Sequence, residues 1–285
     1  MLRWYAAHKR DLPWRRTRDP YRILVSEIML QQTQVDRVIP KYKAFLKEFP
    51  TLRALADASP AAVIRAWSGL GYNRRALYLH RTAQSIAKDY HGRFPKDVDI
   101  LETLPGIGKY TARAVVCFAF GKDVAPVDTN IARVFHRIFF GVEVPKKKIS
   151  DAQLWTLAEK LVPKGRGYPW NHGLMDFGSL VCTAKRPKCV TCPMQSKCAA
   201  YPAIKSVDWT KHRHRTVAAF KDSDRYFRGR IIEYLRTAPG HRSTIAALEF
   251  YFRAQCPPSR LSSLIDTLVR DHLVTCVRDM IALPR

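Results

Sequence analysis

Apolar residues recur at helical spacing through the first two hundred residues. Asp19-Pro20 is typical of a helix start, with Asp as the N-cap and Pro at the first helical position. Thr33 and Asp36 are three residues apart, which predicts a capping box at the start of the next helix. The apolar positions of these two helices are Ile23, Leu24, Ile28, Val35, Val38, Ile39, Tyr42 and Phe45. No segment before the last quarter alternates apolar and polar residues as a half-buried strand does, so the pattern predicts an all-α fold.

The charge of the chain is strongly unbalanced. Lys and Arg number 49 against 24 Asp and Glu, which gives a formal net charge of +25. A field of this size attracts a polyanion, and the phosphate backbone of nucleic acid is the first candidate. A solvated basic surface or a thermophile's charge-rich exterior is the alternative, although such exteriors usually balance their signs. No apolar run could span a membrane and no signal peptide follows Met1, so we expect a soluble cytoplasmic protein.

The last third of the chain has a pattern of its own. Residues 201–224 lose the helical periodicity and are rich in Pro, Ser, Lys, His and Asp, which predicts a linker. Residues 225–285 carry three helical patterns, the second of which Ser243 is expected to cap. Two apolar runs, 274–277 and 280–283, then resemble the strands of a hairpin. This order predicts a winged-helix-like module, although a helical cap without a role in DNA binding fits equally well.

Four of the seven cysteines fall within seventeen residues. They are Cys182, Cys189, Cys192 and Cys198, spaced C-x6-C-x2-C-x5-C. Thiolates this close in an intracellular protein are more often metal ligands than disulfide partners. Four cysteine ligands suit either tetrahedral zinc or a [4Fe–4S] cluster. The long, unequal outer gaps depart from the usual zinc pattern of two C-x2-C pairs.

A glycine-rich turn and an aspartate stand between helical stretches in the middle of the chain. In Leu104-Pro105-Gly106-Ile107-Gly108-Lys109, the two glycines allow positive φ and let backbone N–H groups approach a ligand. The positive end of the following helix points the same way, which predicts a phosphate site, with a purely structural turn as the alternative. Asp128 follows, and it is expected to cap the helix through Phe139.

The hairpin, Asp128 and the cysteine loop stand in the order found in the helix-hairpin-helix iron–sulfur DNA glycosylases. The chain resembles this superfamily, that of endonuclease III and MutY, over about residues 4–200, and within it the MutY-type adenine glycosylases and the thymine–guanine mismatch glycosylases. The resemblance implies a [4Fe–4S] cluster on the four cysteines and a monomer that acts on double-stranded DNA containing a mispaired or damaged base. It also implies an association with the nucleoid.

The resemblance also implies a domain arrangement and a reaction. We expect a six-helix barrel domain with the helix-hairpin-helix at 21–128, an iron–sulfur cluster domain from 1–20 and 129–200, the linker at 201–224 and the winged-helix-like module at 225–285. The expected reaction is hydrolysis of an N-glycosidic bond in base excision repair.

Two carboxylates are expected to carry the reaction. By resemblance, Asp128 lies near the sugar C1′, where an anion stabilises the oxocarbenium-like charge that develops as the bond breaks. Glu27 stands in the apolar stretch 26–35, where burial would raise its pKa and suit it to protonate the leaving base. In the MutY-type pattern this Glu is catalytic, and the segment Gln31, Gln32 and Thr33 enters the DNA stack. Gly106, Gly108 and Lys109 are the expected phosphate contacts.

Position 110 separates hydrolysis from strand cleavage. Endonuclease III-like lyases have a lysine there as a Schiff-base nucleophile, whereas this chain has Tyr110. Lys109 is one residue away and turned by roughly 100° around a helix. The resemblance therefore implies a monofunctional glycosylase without strong lyase activity, with Tyr110 as a residue of its catalytic site.

The excised base is less strongly indicated. Trp14 and the run Gly69-Leu70-Gly71-Tyr72 resemble adenine glycosylases, but the tyrosine that wedges beside 8-oxoguanine in them is Asn73 here. By resemblance, Tyr72 and Asn73 are expected to bind DNA, and Trp14 and His172 are expected to contact the base. The Nudix-like domain of those enzymes is replaced by the winged-helix-like module. His172 fits an adenine or a pyrimidine pocket, and it also fits a structural role in the core. We expect adenine opposite guanine or 8-oxoguanine, with thymine or uracil opposite guanine as the alternative and an iron–sulfur DNA-binding redox regulator as the non-enzyme alternative.

Overall fold

The computed structural model describes residues 1–141, 149–204 and 220–285. The α-helices within these ranges are α1 (Leu2–His8), α2 (Pro20–Leu30), α3 (Val35–Glu48), α4 (Leu52–Ala56), α5 (Pro60–Ala66), α6 (Arg74–Asp89), α7 (Val98–Glu102), α8 (Lys109–Phe120), α9 (Thr129–Phe140), α10 (Asp151–Lys160), α11 (Gly167–Leu180), α12 (Tyr201–Ile204), α13 (Asp224–Thr237), α14 (Ile245–Phe252) and α15 (Pro258–Arg270). The strands in the same ranges are short: β1 (Arg242–Thr244), β2 (Thr275–Val277) and β3 (Met280–Ala282). The predicted all-α class is confirmed. In the described ranges every helix is too short or too polar to cross a lipid bilayer.

The chain folds into two compact units. The first consists of Met1–Leu24, Pro95–Thr103 and Ile107–Arg213. The second consists of Val25–Phe94, Leu104–Gly106 and His214–Arg285. Residues 205–219 of the predicted linker lie outside the described residues.

The core of the first unit lies between α9 and α11. Its buried apolar side chains include Ile131, Val134, Phe135, Leu154, Leu174 and Phe177. The two helices approach closely at Gly178, where an added Cβ would lie only 2.7 Å from the Cβ of Asn130. This approach fixes the start of α9, where Asp128 is located.

A buried ion pair network joins the N-terminal segment to α11. The Asp176 carboxylate is fully buried and accepts hydrogen bonds from Arg10 Nε at 2.6 Å and from both terminal nitrogens of Arg15, at 2.7 and 2.9 Å. Burial alone would raise the pKa of Asp176, but these two guanidiniums hold it below its ordinary value. The network therefore fixes the segment that carries Trp14.

In the second unit, α4 and α5 pack against α6, and α3 packs against α5. Phe45 and Trp67 are fully buried and meet edge to face, with ring centroids 5.8 Å apart. The predicted capping box at Thr33 is wrong, since α3 begins at Val35 with Gln34 as its N-cap and no side-chain cap. The Thr33 hydroxyl accepts a hydrogen bond from Arg75 instead, and this competing partner explains the difference.

The C-terminal module confirms the predicted order of three helices and a hairpin. Helices α13, α14 and α15 precede β2 and β3, and the sheet has the order β1-β3-β2 with both pairs antiparallel. The sequence did not predict strand β1, because its three polar residues have the pattern of a helix start. Thr244 rather than Ser243 caps α14, with its hydroxyl accepting the Ala247 N–H at 3.1 Å. The module shares one core with Ile64 of α5 and Leu77 of α6.

Candidate active site

Asp128 occupies the N-cap of α9, as predicted for that helix. Its Oδ1 accepts the backbone N–H of Ile131 at 2.7 Å, and its Oδ2 accepts the side-chain amide of Asn130 at 2.8 Å. The Asn130 amide is itself oriented, because its oxygen accepts a hydrogen bond from Arg133 at 2.8 Å. Two donors thus hold the carboxylate in one orientation.

Burial raises the pKa of Asp128, although the hydrogen bonds from Ile131 and Asn130 and the charge of Arg133 oppose the rise. A carboxylate in such a site has lost part of its hydration. Positive charge that develops beside it is therefore stabilised more strongly than it would be in water.

The predicted hairpin lies between α7 and α8. Gly106 has φ +74°, and a Cβ there would lie 2.5 Å from the Cβ of Tyr78, so only glycine fits. Thr82 on the same helix as Tyr78 donates its hydroxyl to the carbonyl of Pro105 at 2.5 Å. Helix α6 therefore holds this part of the hairpin by a close contact and a hydrogen bond.

Helix α8 begins directly after the hairpin. Gly108 is its N-cap residue and no side chain caps the first turn, so its N-terminal N–H groups can meet an anionic ligand. Lys109 is exposed, and its Nζ lies 4.5 Å from the centroid of the Trp155 ring. Tyr110 is half-buried.

Glu27 lies on α2 and is buried, with 5% of its surface exposed. Its neighbours Ser26, Ile28 and Met29 are buried as well. Glu27 is therefore not a solvent-exposed residue on the outer face of its helix.

The segment after α2 is held by a residue that sequence reasoning missed. Arg75 is buried on α6 and donates hydrogen bonds to five backbone carbonyls and to the Thr33 hydroxyl. The carbonyls belong to Ile28, Met29, Gln31, Leu70 and Gly71. Burial lowers the pKa of Arg75 to about 10, so the guanidinium remains charged at neutral pH. We call this group the Arg75 brace.

The Arg75 brace joins the predicted DNA contacts at 31–33 to the turn 69–72, which ends at the predicted contact Tyr72. Gln32 is exposed with φ +54°, and Tyr72 is 38% exposed with φ +47°. Backbone in this region costs free energy for residues other than glycine. Because the brace binds the carbonyls of Gln31 and Gly71, which directly precede these two residues, it can hold both strained, exposed side chains in place.

Asn73 is buried next to Tyr72. Its side-chain oxygen accepts a hydrogen bond from Arg236 of α13 at 2.9 Å, and Arg236 also donates to the carbonyl of Ile64. The Tyr72 hydroxyl accepts a hydrogen bond from Arg225 of the same helix. The C-terminal module therefore contacts both Tyr72 and Asn73. A direct contact of Asn73 with DNA stays a prediction.

Trp14 and His172, the predicted base-recognition residues, are both buried in the first unit. His172 stacks on Phe118 with ring centroids 4.0 Å apart and meets Tyr168 edge to face at 4.4 Å. Burial holds the pKa of His172 well below its ordinary value, and the charge of Arg15 adds to this effect. The imidazole is therefore neutral at physiological pH, and its contact with a base stays a prediction.

The four predicted cysteine ligands line one common pocket. Cys182, Cys189, Cys192 and Cys198 all line it and none forms a disulfide. Arg137 is buried beside them and donates to the carbonyls of Thr183 and Ala184 at 2.7 and 3.2 Å, and to Cys182 Sγ at 3.4 Å. The cysteine loop is thus built around a common space.

The described residues contain no group of three or more His, Cys, Asp or Glu side chains close enough to share one metal ion. The four thiols line one common pocket and are therefore candidate ligands for a bound metal group.

The candidate residues are divided between the two units. The first unit contains Trp14, Gly108, Lys109, Tyr110, Asp128, His172 and the four cysteines. The second unit contains Glu27, Gln31, Gln32, Thr33, Tyr72, Asn73 and Gly106. Within the second unit, the Arg75 brace connects 31–33 to the turn that ends at Tyr72.

Comparison with known proteins agrees with this geometry. The model of the HhH-GPD superfamily of base excision DNA repair proteins matches residues 25–160. The adenine DNA glycosylase of Mycolicibacterium smegmatis is 41% identical over 275 residues, which cover 94% of this chain and 91% of the relative. The thymine/uracil-DNA glycosylase of Methanothermobacter thermautotrophicus is 38% identical over 202 residues, which cover 70% of this chain and 91% of the relative.

Solved structures give the same result. A thermostable thymine-DNA glycosylase matches with a TM-score of 0.66 and 37% identity, covering 71% of this chain and 93% of that chain. A non-covalent complex of endonuclease III with DNA matches with a TM-score of 0.60 and 25% identity, covering 66% and 87%. The chain therefore belongs to the HhH-GPD superfamily of base excision DNA repair proteins and is a DNA glycosylase.

Proposed function

We propose that this glycosylase excises adenine mispaired with guanine or 8-oxoguanine by hydrolysis of the N-glycosidic bond. The observation that carries the proposal is the match to an adenine DNA glycosylase, which covers 91% of that relative and 94% of this chain. The match to the thymine/uracil enzyme covers 70% of this chain. The redox-regulator alternative has no comparable support.

In the proposed mechanism, Asp128 stabilises the positive charge that develops on the sugar. Its carboxylate is already oriented by Ile131 and Asn130 before DNA binds, so little reorganisation is needed in the transition state. The same carboxylate is suited to assist the attacking water. Because its pKa is raised, the Asp128 carboxylate accepts a proton more readily than an exposed Asp does.

Glu27 is proposed to protonate the leaving adenine. Adenine N7 is a basic atom, and protonation there makes the purine a better leaving group. Burial of Glu27 supports the role, because its carboxyl group lies away from bulk water. A pyrimidine lacks N7 and gains less from such an acid.

Binding of DNA is proposed to use the hairpin and the braced segments. The exposed Gly108 and the uncapped start of α8 offer N–H groups to a phosphate, and the exposed Gly106 is proposed to contact the DNA backbone as well. Gln31, Gln32, Thr33 and Tyr72 are proposed to contact the bases around the lesion. Their backbone is held by the Arg75 brace, which supports a role that requires exposed but fixed side chains.

The reaction is expected to leave intact strands with abasic sites, which break only on heating in alkali. Borohydride should trap little enzyme on DNA, because Tyr110 carries no amine. A duplex with adenine opposite 8-oxoguanine and gel analysis of both treatments would check this. Efficient trapping that disappears in Lys109→Gln would contradict the proposal and identify Lys109 as the nucleophile.

A [4Fe–4S] cluster is proposed for the cavity of the cysteine loop. Cys182, Cys189, Cys192 and Cys198 would each supply one thiolate, and the bound group would cross-link the loop and provide a redox-active centre. The Arg137 guanidinium stabilises the loop by donating hydrogen bonds to the carbonyls of Thr183 and Ala184.

Protein purified without oxygen is expected to contain about four irons per chain and to be yellow-brown. Cys192→Ser should lose most of this iron, because one ligand is removed. Cys276→Ser, at a half-buried cysteine outside the loop, should keep it. Metal analysis of the three proteins is the measurement, and stoichiometric zinc without iron in the wild type would contradict the cluster.

A further inference from the structure

A basic cleft lies between helix α6 and the end of helix α15. Its lining on α6 consists of Arg74, Leu77, Tyr78 and Arg81. Its opposite side is formed by Arg270 at the end of α15 and by Asp271 and His272, which follow it. Its volume is about 240 Å³. We call it the α6–α15 cleft. Neither the sequence motifs nor the proposed mechanism uses it.

The charges of this cleft lack an explanation in the fold. Three arginines face one aspartate, so these four side chains carry a net charge of +2. Asp271 is already compensated, because Arg74 lies 3.4 Å from one of its oxygens and Arg228 pairs with the other. Arg81 and Arg270 are exposed, and in the described parts of the chain no side chain pairs with either. Uncompensated like charges at close quarters favour an anionic ligand.

The cleft adjoins the hairpin. Tyr78 lines the cleft and also contacts Gly106, whose added Cβ would lie 2.5 Å from the Tyr78 Cβ. Thr82, one turn further along α6, binds the carbonyl of Pro105. One helix therefore presents the hairpin and the cleft side by side. A strand whose phosphate lies on the hairpin would bring its neighbouring phosphates past the cleft.

The rest of α15 does not offer a comparable surface. Its exposed positions Ser259, Ser262, Ser263 and Asp266 carry no positive charge, and Arg260 pairs with Asp224 at 2.7 Å. Positive charge available to a ligand on this helix is therefore concentrated at Arg270, beside α6. The helix that would enter the major groove in a winged-helix protein is poorly suited to do so here.

We infer that the α6–α15 cleft binds a backbone phosphodiester of the DNA substrate, next to the phosphate at the hairpin. The inference rests on the proposed binding of DNA at the hairpin. The C-terminal module thereby supplies a phosphate-binding group of its own, from Arg270 and His272. Such a group positions the duplex and carries no sequence information.

The test is the salt dependence of binding to an undamaged duplex, measured by fluorescence anisotropy for the full-length protein. The double variant Arg81→Gln, Arg270→Gln should bind about tenfold more weakly at 0.1 M salt, and the slope of log K against log salt should fall by about one for each phosphate that the variant no longer neutralises. The matched control is Lys88→Gln, Arg285→Gln, which removes two exposed charges from the same helix and the same module outside the cleft. It should change the slope far less.

Equal slopes and affinities for the two double variants would overturn the inference. If the cleft variant unfolds, Arg81→Lys, Arg270→Lys provides the second test, since lysine binds phosphate as a point charge and should restore the slope. The control variant should also keep the single-turnover excision rate of the wild type, whereas the cleft variant should need a higher enzyme concentration to reach its maximal rate. Loss of excision in every protein would instead count against the proposed function.

Discussion

Replacement of Asp128 by Asn is expected to slow base excision by about a thousandfold, because a half-buried anion beside developing positive charge is worth several kcal/mol. The N-cap hydrogen bond to Ile131 survives, since Asn caps a helix about as well as Asp. The hydrogen bond with Asn130 does not. Arg133 fixes the Asn130 amide with its nitrogen toward residue 128, so two donors would meet there if the cap is kept. We therefore expect a fall in stability of about 1 kcal/mol together with the fall in rate.

Asn130→Ala is the matched control for this prediction. It removes the same hydrogen bond and keeps the charge of Asp128, so it should lose similar stability and much less rate. Single-turnover rates and thermal unfolding of the two variants are the measurements, with binding to mismatched DNA as a check. Near-normal turnover in Asp128→Asn would show that Asp128 is only a helix cap.

Loss of the Arg75 brace is expected to have the largest effect on stability. Arg75→Met keeps most of the buried volume but leaves five carbonyls and the Thr33 hydroxyl without this donor. Buried polar groups without partners cost about 1–3 kcal/mol each, and partial access to water reduces the sum. We expect a destabilisation of about 4 kcal/mol, which corresponds to a fall of about 10 °C in Tm for a chain of this size.

Arg53→Met is the control for the brace. Arg53 is exposed and pairs with Asp57 one turn away, an interaction worth at most about 0.5 kcal/mol. Arg75→Lys should be intermediate, because three donors on one nitrogen cannot reach carbonyls on two segments. Calorimetry of the three variants decides the point. A Tm for Arg75→Met within about 2 °C of the wild type would show that other interactions hold the two segments.

The parts of the fold that were predictable are those with a strong local pattern. The helices, the hairpin and the C-terminal strands follow from apolar spacing and turn residues. Arg75 was missed because Arg74-Arg75 looks like part of the general positive charge. The spacing of Arg75 from Leu79, Thr82 and Ile86, all buried on α6, places it on the buried face of that helix and could have identified it.

Long-range packing explains the remaining differences. Thr33 has the spacing of a capping box, but its hydroxyl is used by a guanidinium that lies 42 residues away in the sequence. The hydrogen bonds of Arg225 and Arg236 with Tyr72 and Asn73 join segments more than 150 residues apart. No local pattern encodes such pairs. The α6–α15 cleft was unpredictable for the same reason.

Adenine specificity is tested most directly by single-turnover rates on four duplexes at one salt concentration: adenine opposite 8-oxoguanine, adenine opposite guanine, thymine opposite guanine and uracil opposite guanine. We expect both adenine substrates to be processed faster than either pyrimidine. Their own rates should differ little, since Asn73 stands in place of the tyrosine expected beside 8-oxoguanine and is buried under Arg236. Rates for thymine and uracil at least tenfold above both adenine rates would contradict the adenine assignment and indicate a pyrimidine pocket that includes His172.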